Sequence, residues 1–183
     1  MSPHETPTAG NASDFASALA NRLPLLETER LRLRAPTLED FPVWAQILCG
    51  PAGPHLGGPF TREEAFTEFC AVTGMWLLRG HGLWSVEDAT ETLLGFVHLG
   101  FEPGDQEPEL GFLFSEGAEG KGYAQEAARA LKDHALNELV MPSLVSYVDP
   151  ANTRALRLAE RLGASREADL DGATVWRHWG GRA

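Results

Sequence analysis

Three groups of residues in this 183-residue chain have types and spacings that could do chemistry. The first is the run Glu119-Gly120-Lys121-Gly122-Tyr123-Ala124-Gln125-Glu126. Glycines one residue apart let a backbone turn left-handed and approach a ligand closely. Where a helix starts just after such a turn, its first N–H groups are free and its dipole favours an anion. Lys121 lies inside the run and is one of only two lysines in the chain, Lys132 being the other. A phosphate-bearing ligand is one reading; an ordinary glycine-containing strand–helix turn is the other. The spacing is not that of a Walker loop, because no Lys-Ser or Lys-Thr follows the glycines. Nor is it that of a dinucleotide loop, whose third glycine position is Gln125 here.

The second group is acid–base. Glu109 opens the apolar run Glu109-Leu110-Gly111-Phe112-Leu113-Phe114. On a strand, Glu109, Gly111 and Leu113 share one face and Leu110, Phe112 and Phe114 the other. A carboxylate on so apolar a strand is a candidate general base, set against a plain surface glutamate. His98, between Val97 and Leu99, is the alternative base, set against a hydrogen-bonded core histidine. The third group is His55 in a Gly/Pro-rich segment over 50–59, with Trp76 and Trp84 nearby in the element order. Loops of this kind often bind ligands, and an aromatic-lined acidic pocket suits an amine or cation. For both tryptophans the alternative is core packing. Cys49 and Cys70 fall on expected helices and read as ordinary thiols rather than nucleophiles, and two cysteines make neither a disulfide framework nor a zinc cluster. No metal is expected.

The elements that must position these groups follow from periodicity. Leu31 and Leu33 alternate with Arg30, Arg32 and Arg34, the period of a half-buried strand. Thr37 opens a helix expected to reach Cys49. Thr61 and Glu64 make a capping box for a second helix to Arg79, with Ala65, Phe69, Val72 and Trp76 on one stripe and Gly80 as its stop. Strands are expected over 81–86, 93–100, 107–114 and 144–148, and helices over 120–139 and from Pro150 to near Gly163. A closing pair of strands surrounds the turn Asp171-Gly172. The order β-α-α-β-β-β-α-β-α-β-β is that of an α/β (α+β) chain, a mixed sheet with helices on both faces. Residues 1–24 read as a mobile tail with a short helix, and residues 25–183 as a single domain.

Composition narrows the function. The chain is 43% hydrophobic with 5 Trp and 9 Phe, which disfavours disorder. No apolar run is long enough for a membrane helix, and the N-terminus lacks a signal-peptide pattern. A cytoplasmic protein with reduced thiols is the expectation, with no membrane partner. The net charge of −11 argues against a nucleic-acid partner. That charge is uneven: residues 1–110 hold 16 acids and 6 Lys/Arg, residues 111–183 hold 10 and 9.

Four segments, in order, resemble the GNAT acyltransferase superfamily, in particular its RimJ/RimL-like N-acetyltransferase branch. Leu26-Glu27-Thr28-Glu29-Arg30-Leu31-Arg32-Leu33-Arg34 resembles the branch's opening strand. Pro108-Glu109-Leu110-Gly111-Phe112-Leu113 resembles its E-[IL]-G-[YFW] strand. Glu119-x-x-Gly122-x-Ala124 resembles the [Q/R]-x-x-G-x-[G/A] pyrophosphate loop. Asn152-x-x-Ala155-x-x-Leu158-Ala159-Glu160-Arg161-Leu162-Gly163-Ala164 resembles the N-x-x-[SA]-x-x-[LV]-x-E-[KR]-L-G-[FA] helix. The resemblance covers about residues 25–179 and implies a mostly antiparallel central sheet splayed at its middle. It implies acetyl-CoA as acetyl donor, with backbone contacts from Phe112, Leu113 and Phe114. The pyrophosphate would lie on Gly120, Lys121, Gly122, Tyr123 and Ala124, and Asn152 would reach the pantetheine arm; a helix-start role is the alternative for Asn152.

The implied reaction is direct attack of an amine on the thioester, with Glu109 as first candidate base and an oxyanion donor near Leu113. The resemblance places the acceptor near Pro51–Phe60, Trp76 and Trp84. Two positions depart from the pattern. Glu119 stands where Gln or Arg is usual, and Ala155 and Ala159 fill slots that hold a Ser or Tyr acid elsewhere. A non-catalytic acyl-CoA-binding regulator on the same fold is therefore the second reading, and a plain nucleotide-binding module the third. The acidic half would favour a cationic amine acceptor. Homodimerisation through exposed end strands is left open.

Overall fold

The structure is a computed structural model that describes residues 2–181. Met1 and residues 182–183, the outer ends of the two expected segments, lie outside the described residues. Eight strands form one sheet in the order β1-β2-β3-β4-β5-β6-β8-β7. They are β1 (Leu26–Glu27), β2 (Leu31–Arg34), β3 (Leu83–Asp88), β4 (Leu93–Gly100), β5 (Glu109–Phe114), β6 (Leu144–Val148), β7 (Ser165–Arg166) and β8 (Thr174–Trp179). Five helices accompany them: α1 (Asn11–Ala20), α2 (Phe41–Leu48), α3 (Arg62–Arg79), α4 (Tyr123–Asn137) and α5 (Thr153–Arg161). Every neighbouring pair of strands is antiparallel except β5 and β6.

The parallel pair is where the sheet opens. Only Glu109 and Val145 are ladder partners between β5 and β6. Beyond Leu110 the strands part, and the Leu110 carbonyl accepts a hydrogen bond from the Ser146 hydroxyl at 2.6 Å instead of a ladder bond. His178 Nε2 lies 3.0 Å from the same hydroxyl. Strand edges normally demand partners. An edge left unpaired inside a sheet is a place for a ligand to pair.

The core divides by face, as strand alternation requires. Phe41, Trp44, Phe69, Leu83, Phe96 and Leu113 pack under α2 and α3. Trp84, Val97, Leu99, Leu110, Leu131 and Leu158 pack on the side of α4 and α5. Arg34 fixes the first corner: its guanidinium donates to both Asp40 oxygens at 2.7 and 2.8 Å and to Glu87 at 2.7 Å. Asp40 and Glu87 are both buried, so their pairing with Arg34 removes the cost of leaving them uncompensated.

Most expected elements form, with shifted ends. The capping box is present at Thr61, whose hydroxyl accepts from Glu64 N–H, and Gly80 stops α3 in a left-handed turn at φ 73°. The helix expected from Thr37 begins with a 3-10 turn, Leu38–Asp40, and becomes α-helical only at Phe41. The helix expected from Gly120 starts at Tyr123, because Gly120 and Gly122 are both left-handed, at φ 73° and 81°. The segment read as a tail carries α1 and makes contacts the sequence did not announce. Glu5 is buried and takes hydrogen bonds from Arg62 at 2.7 and 2.9 Å. The Trp84 indole donates to the Pro24 carbonyl.

Candidate active site

A cavity of about 410 Å³ opens beside the splay. It is lined from α2 and its following loop (Trp44, His55), α3 (Glu68, Val72), β4 (His98), β5 (Glu109 to Leu113), β6 (Ser146 to Val148) and the segment after it (Asp149, Asn152). Sites of this size ordinarily take small molecules.

Glu109 sits on rigid strand at the apex. Its Oε1 accepts the Tyr147 N–H at 3.3 Å, so the side chain reaches across from β5 to β6. Burial pushes its pKa up to about 8, with the carboxylates of Glu102 and Asp105 adding to the rise and the Tyr147 N–H opposing it. A carboxyl group in this state is half-way to the pKa of an alkylammonium, as a proton acceptor from one should be.

His98 faces the same cavity from β4, in register with Gly111. Its ring lies against the Gly111 α-carbon so closely that a Cβ there would stand 1.6 Å from Nε2. Residue 111 is glycine because the imidazole occupies the side chain's place. His98 is 8% exposed, and its Nδ1 is buried without a hydrogen-bond partner. Desolvation, helped by His81, drives its pKa down to about 4, so the ring stays neutral at ordinary pH and is a weak base.

His55 holds the loop that follows α2. Its Nδ1 is 2.6 Å from Asp149 Oδ2, tying the loop after α2 to the end of β6. The His55 hydrogen bond keeps the Asp149 carboxyl below the usual range. Asn152 also borders the cavity, but its Oδ1 caps α5 by accepting the Ala155 N–H at 3.1 Å. Its amide nitrogen is the end left for a ligand. Phe112 and Leu113 line the cavity from opposite faces of β5, and Phe114 does not reach it.

Trp76 and Trp84 correct an expectation. Neither lines the cavity. Trp84 is fully buried on the α4 side of the sheet, and Trp76 meets it edge-on at 4.4 Å while donating its indole N–H to Leu83 O. Strand alternation put Trp84 with Val86 on one face, but it could not say that this face turns away from the splay. The tryptophan that does reach the cavity is Trp44, held by its indole bond to Ala65 O.

The glycine run stands at the start of α4. A Cβ at Gly120 would meet nothing within 4 Å, so the turn faces open space. Lys121 does not project: its Nζ donates back to Gly117 O. Glu119 is paired with Arg154 at the start of α5, which draws its charge toward a cation. Behind the turn lies a clamp that sequence reasoning missed. Glu126, in the first turn of α4, accepts from the Thr28 hydroxyl at 2.6 Å and from Arg30 N and Nε at 3.0 and 2.7 Å. Arg30 also donates to Lys121 O and lies 4.7 Å over the Tyr123 ring. The partners are 96 residues apart, and no local pattern announces them. Burial works against the charged form of Glu126, yet the Thr28 and Arg30 bonds outweigh it and lower the pKa. Left-handed glycines, the N–H groups of a helix start and an unpaired strand edge nearby are donor types that suit a pyrophosphate-bearing thioester.

Among the described residues no helix is long and apolar enough to cross a membrane. The chain is similar to several known proteins. An acetyltransferase from Agrobacterium tumefaciens of known crystal structure is 36% identical, with a TM-score of 0.81, over 86% of this chain and 95% of that one. The Bacillus subtilis protein YkkB is 38% identical over 92 residues, 46% of this chain; the chain spans about half, 52%, of its length. The Bacillus licheniformis N-acetyltransferase p20 is 29% identical over 79% of this chain and 84% of its own. RimL, the ribosomal L7/L12 alpha-N-protein acetyltransferase, solved with coenzyme A, shares the fold at 17% identity and a TM-score of 0.68. The family model for the acetyltransferase (GNAT) domain matches residues 30–165. With the splayed sheet and the glycine turn in place, the chain belongs to the GNAT acetyltransferase family.

Proposed function

We propose that residues 25–183 form one GNAT domain that transfers an acetyl group from acetyl-CoA to a primary amine, by direct attack on the thioester. The observation that carries this reading is Glu109. It is a carboxyl group on rigid strand, at the apex of the splay, with a pKa pushed up to about 8. Acetyl-CoA supplies the activated acyl group, and its pyrophosphate would rest on the backbone from Gly120 to Ala124. Its arm would pair with the open edge of β5 at Phe112 to Phe114, with the amide of Asn152 alongside.

An amine acceptor arrives largely as ammonium, with a pKa near ~10.4 if it resembles lysine. An ordinary glutamate near ~4.3 would face a gap of roughly 6 in taking its proton. Glu109 narrows that gap to roughly 2, about 5 kcal/mol less uphill. His98, at about 4, offers no such advantage, and its place against Gly111 makes it a wall of the site rather than the base. Leu113 turns its own backbone groups toward β4, opposite Phe96, so the N–H next to it that faces the open edge, that of Phe112, is the donor best placed to meet the developing oxyanion. Ala155 and Ala159 offer no proton to the leaving thiolate, which leaves as the anion or takes a proton from water.

The acceptor is a cation on this reading. Six carboxylates border the cavity and no Lys or Arg does. The direct test is thiol release: protein, acetyl-CoA and a panel of amines, with free coenzyme A followed by a thiol reagent. Release that needs both an amine and Glu109 supports transfer. Tight acetyl-CoA binding with no release from any amine favours the regulator reading.

A further inference from the structure

The sheet does not simply run out at the splay. A parallel ladder that pairs Glu109 with Val145 would continue with Tyr147 N–H donating to Leu110 O, and then Phe112 N–H to Tyr147 O. The bond before these is made: Val145 N–H donates to Pro108 O at 3.0 Å. The next rung is broken, and side chains take both of its halves. Tyr147 N–H donates instead to Glu109 Oε1 at 3.3 Å. Leu110 O accepts instead from the Ser146 hydroxyl at 2.6 Å. Buried backbone groups are costly to leave without partners, so without these replacements the rung would close.

The two replacements come from opposite strands and opposite faces. Glu109 belongs to β5 and shares the face of Leu113, which packs under α2 and α3. Ser146 belongs to β6 and stands opposite Trp176 of β8, which packs with Ala155 and Ala159 of α5. Ser146 is 1% exposed and borders the cavity. Its single hydroxyl proton is committed to Leu110 O, so its oxygen is left to accept from His178, whose Nε2 lies 3.0 Å away. His178 then carries its proton on Nε2. The bare nitrogen is Nδ1, which is buried with no partner among the described residues. Burial, with Lys132 adding to it, brings the ring's pKa down to about 4, so His178 is neutral at ordinary pH. The chain from His178 through Ser146 to Leu110 O therefore runs in one direction.

We propose that Ser146, backed by His178, is a positioning residue that holds the splay open for the thioester and keeps the Phe112 N–H free to meet the oxyanion. This rests on the transfer reading and adds to it the residue that prepares the site. Without the Ser146 hydroxyl, Leu110 O would take back its ladder donor, Tyr147 N–H. Closing that rung would draw Tyr147 N–H away from Glu109 and commit Phe112 N–H to Tyr147 O. One hydroxyl thus acts on the base and on the oxyanion donor together.

The test compares Ser146→Ala with Ser146→Thr, which keeps the hydroxyl. With acetyl-CoA and an amine that the wild type acetylates, Ser146→Ala should lower kcat about 100-fold, the effect of losing one oxyanion donor. The acetyl-CoA dissociation constant should stay within about tenfold, because the glycine turn is untouched. The rising limb of the Ser146→Ala pH profile should lie above that of the wild type, because burial and the nearby acids then act on Glu109 without the Tyr147 N–H to oppose them. A merely structural loss would not move that limb. Ser146→Thr should recover most of the activity and the wild-type limb. A Ser146→Ala kcat within about threefold of the wild type, an unmoved limb, or a Thr variant as slow as the Ala variant overturns the proposal.

Hydrogen exchange of single amides, read by NMR, tests the strut with no amine present. In the free wild type the Phe112 amide should exchange at least about tenfold faster than the ladder-bonded Leu110 amide. In Ser146→Ala it should already be slow. A Phe112 amide protected in the free wild type, or exchanging equally fast in both proteins, overturns the proposal. Should Ser146→Ala not fold, Ser146→Cys, close to serine in size and a weaker donor, takes its place with the same two outcomes. If no amine releases coenzyme A, the transfer reading fails on its own, and the exchange rates still decide whether Ser146 holds the splay open.

Discussion

The start of α4 and the cavity beside β5 are two ends of one proposed site, and they are built by opposite means. The α4 end uses backbone. Its parts are two left-handed glycines, the free N–H groups of a helix start, and a clamp of Thr28, Arg30 and Glu126 in which every charge is matched. The cavity end uses side chains, and six carboxylates border it with no Lys or Arg among its lining residues. Glu109 is pushed up to about 8 and His98 down to about 4, the reverse of the usual order of a carboxyl group and an imidazole. A backbone site recognises a shape that many molecules share, such as a pyrophosphate. A side-chain site with stored electrostatic strain selects one partner and one protonation state. On this account the first end binds a common cofactor and the second decides the chemistry.

Breaking the cavity end should cost the most. Glu109→Gln should lower kcat/KM by at least ~100-fold while the acetyl-CoA dissociation constant, read by calorimetry, stays within about threefold. A smaller drop would remove Glu109 from the mechanism. At the other end, Gly122→Val should weaken acetyl-CoA binding by roughly tenfold or more, because a branched side chain strains the left-handed turn and brings a Cβ to 3.4 Å from Arg30. Turnover at saturating acetyl-CoA should be much less affected. A kcat loss equal to that of Glu109→Gln would mean the two ends are not separable.

Gly111→Ala tests the wall between them. The new Cβ must displace the His98 ring, a clash that costs about 2–3 kcal/mol and lowers the Tm by roughly 5–10 °C. Adding His98→Ala should recover most of that loss, and no recovery would show that the ring is not what excludes a side chain.

The smallest effect is a stability trade. Glu109 has a folded pKa above its unfolded value, so its protonation favours the folded state. That stability is fully present below about pH 4 and is lost as pH rises through about 8. Glu109→Gln should therefore raise the Tm more at pH 9 than at pH 5, by a few degrees. Equal shifts at both pH values would mean that Glu109 is not held in its neutral form.

The two ends also differ in how legible they were. The glycine run, the capping box at Thr61 and the strand from Glu109 to Phe114 are local patterns, and each formed within a few residues of its expected bounds. The splay was implied by the resemblance, and the lone Glu109–Val145 ladder pair gives it a physical form. The cavity was harder to see, because its acids come from a helix, three loops and a strand. Glu68 looks, in sequence, like Glu63 and Glu64, one more charge on a solvated helix. Only the direction in which α3 packs turns Glu68 and Val72 toward the site and leaves the other two outside. Trp76 and Trp84 failed for the converse reason: their size and spacing marked them as important, and the core claimed them. The uneven charge along the chain pointed toward the acceptor side, but Asp149 and Asp171 show that the second half contributes to the cavity as well.

The central claim is that Glu109 accepts the proton of an amine while acetyl-CoA lies in the splay. The most direct measurement is the pH dependence of kcat/KM for acetyl transfer, wild type against Glu109→Gln, followed by coenzyme A release from about pH 6 to pH 10. The account predicts a wild-type limb that rises through an apparent pKa near 8, and a residual Glu109→Gln activity that lacks this limb and follows the ionisation of the amine alone. A wild-type profile without the limb near 8, or the same limb in both proteins, would contradict it.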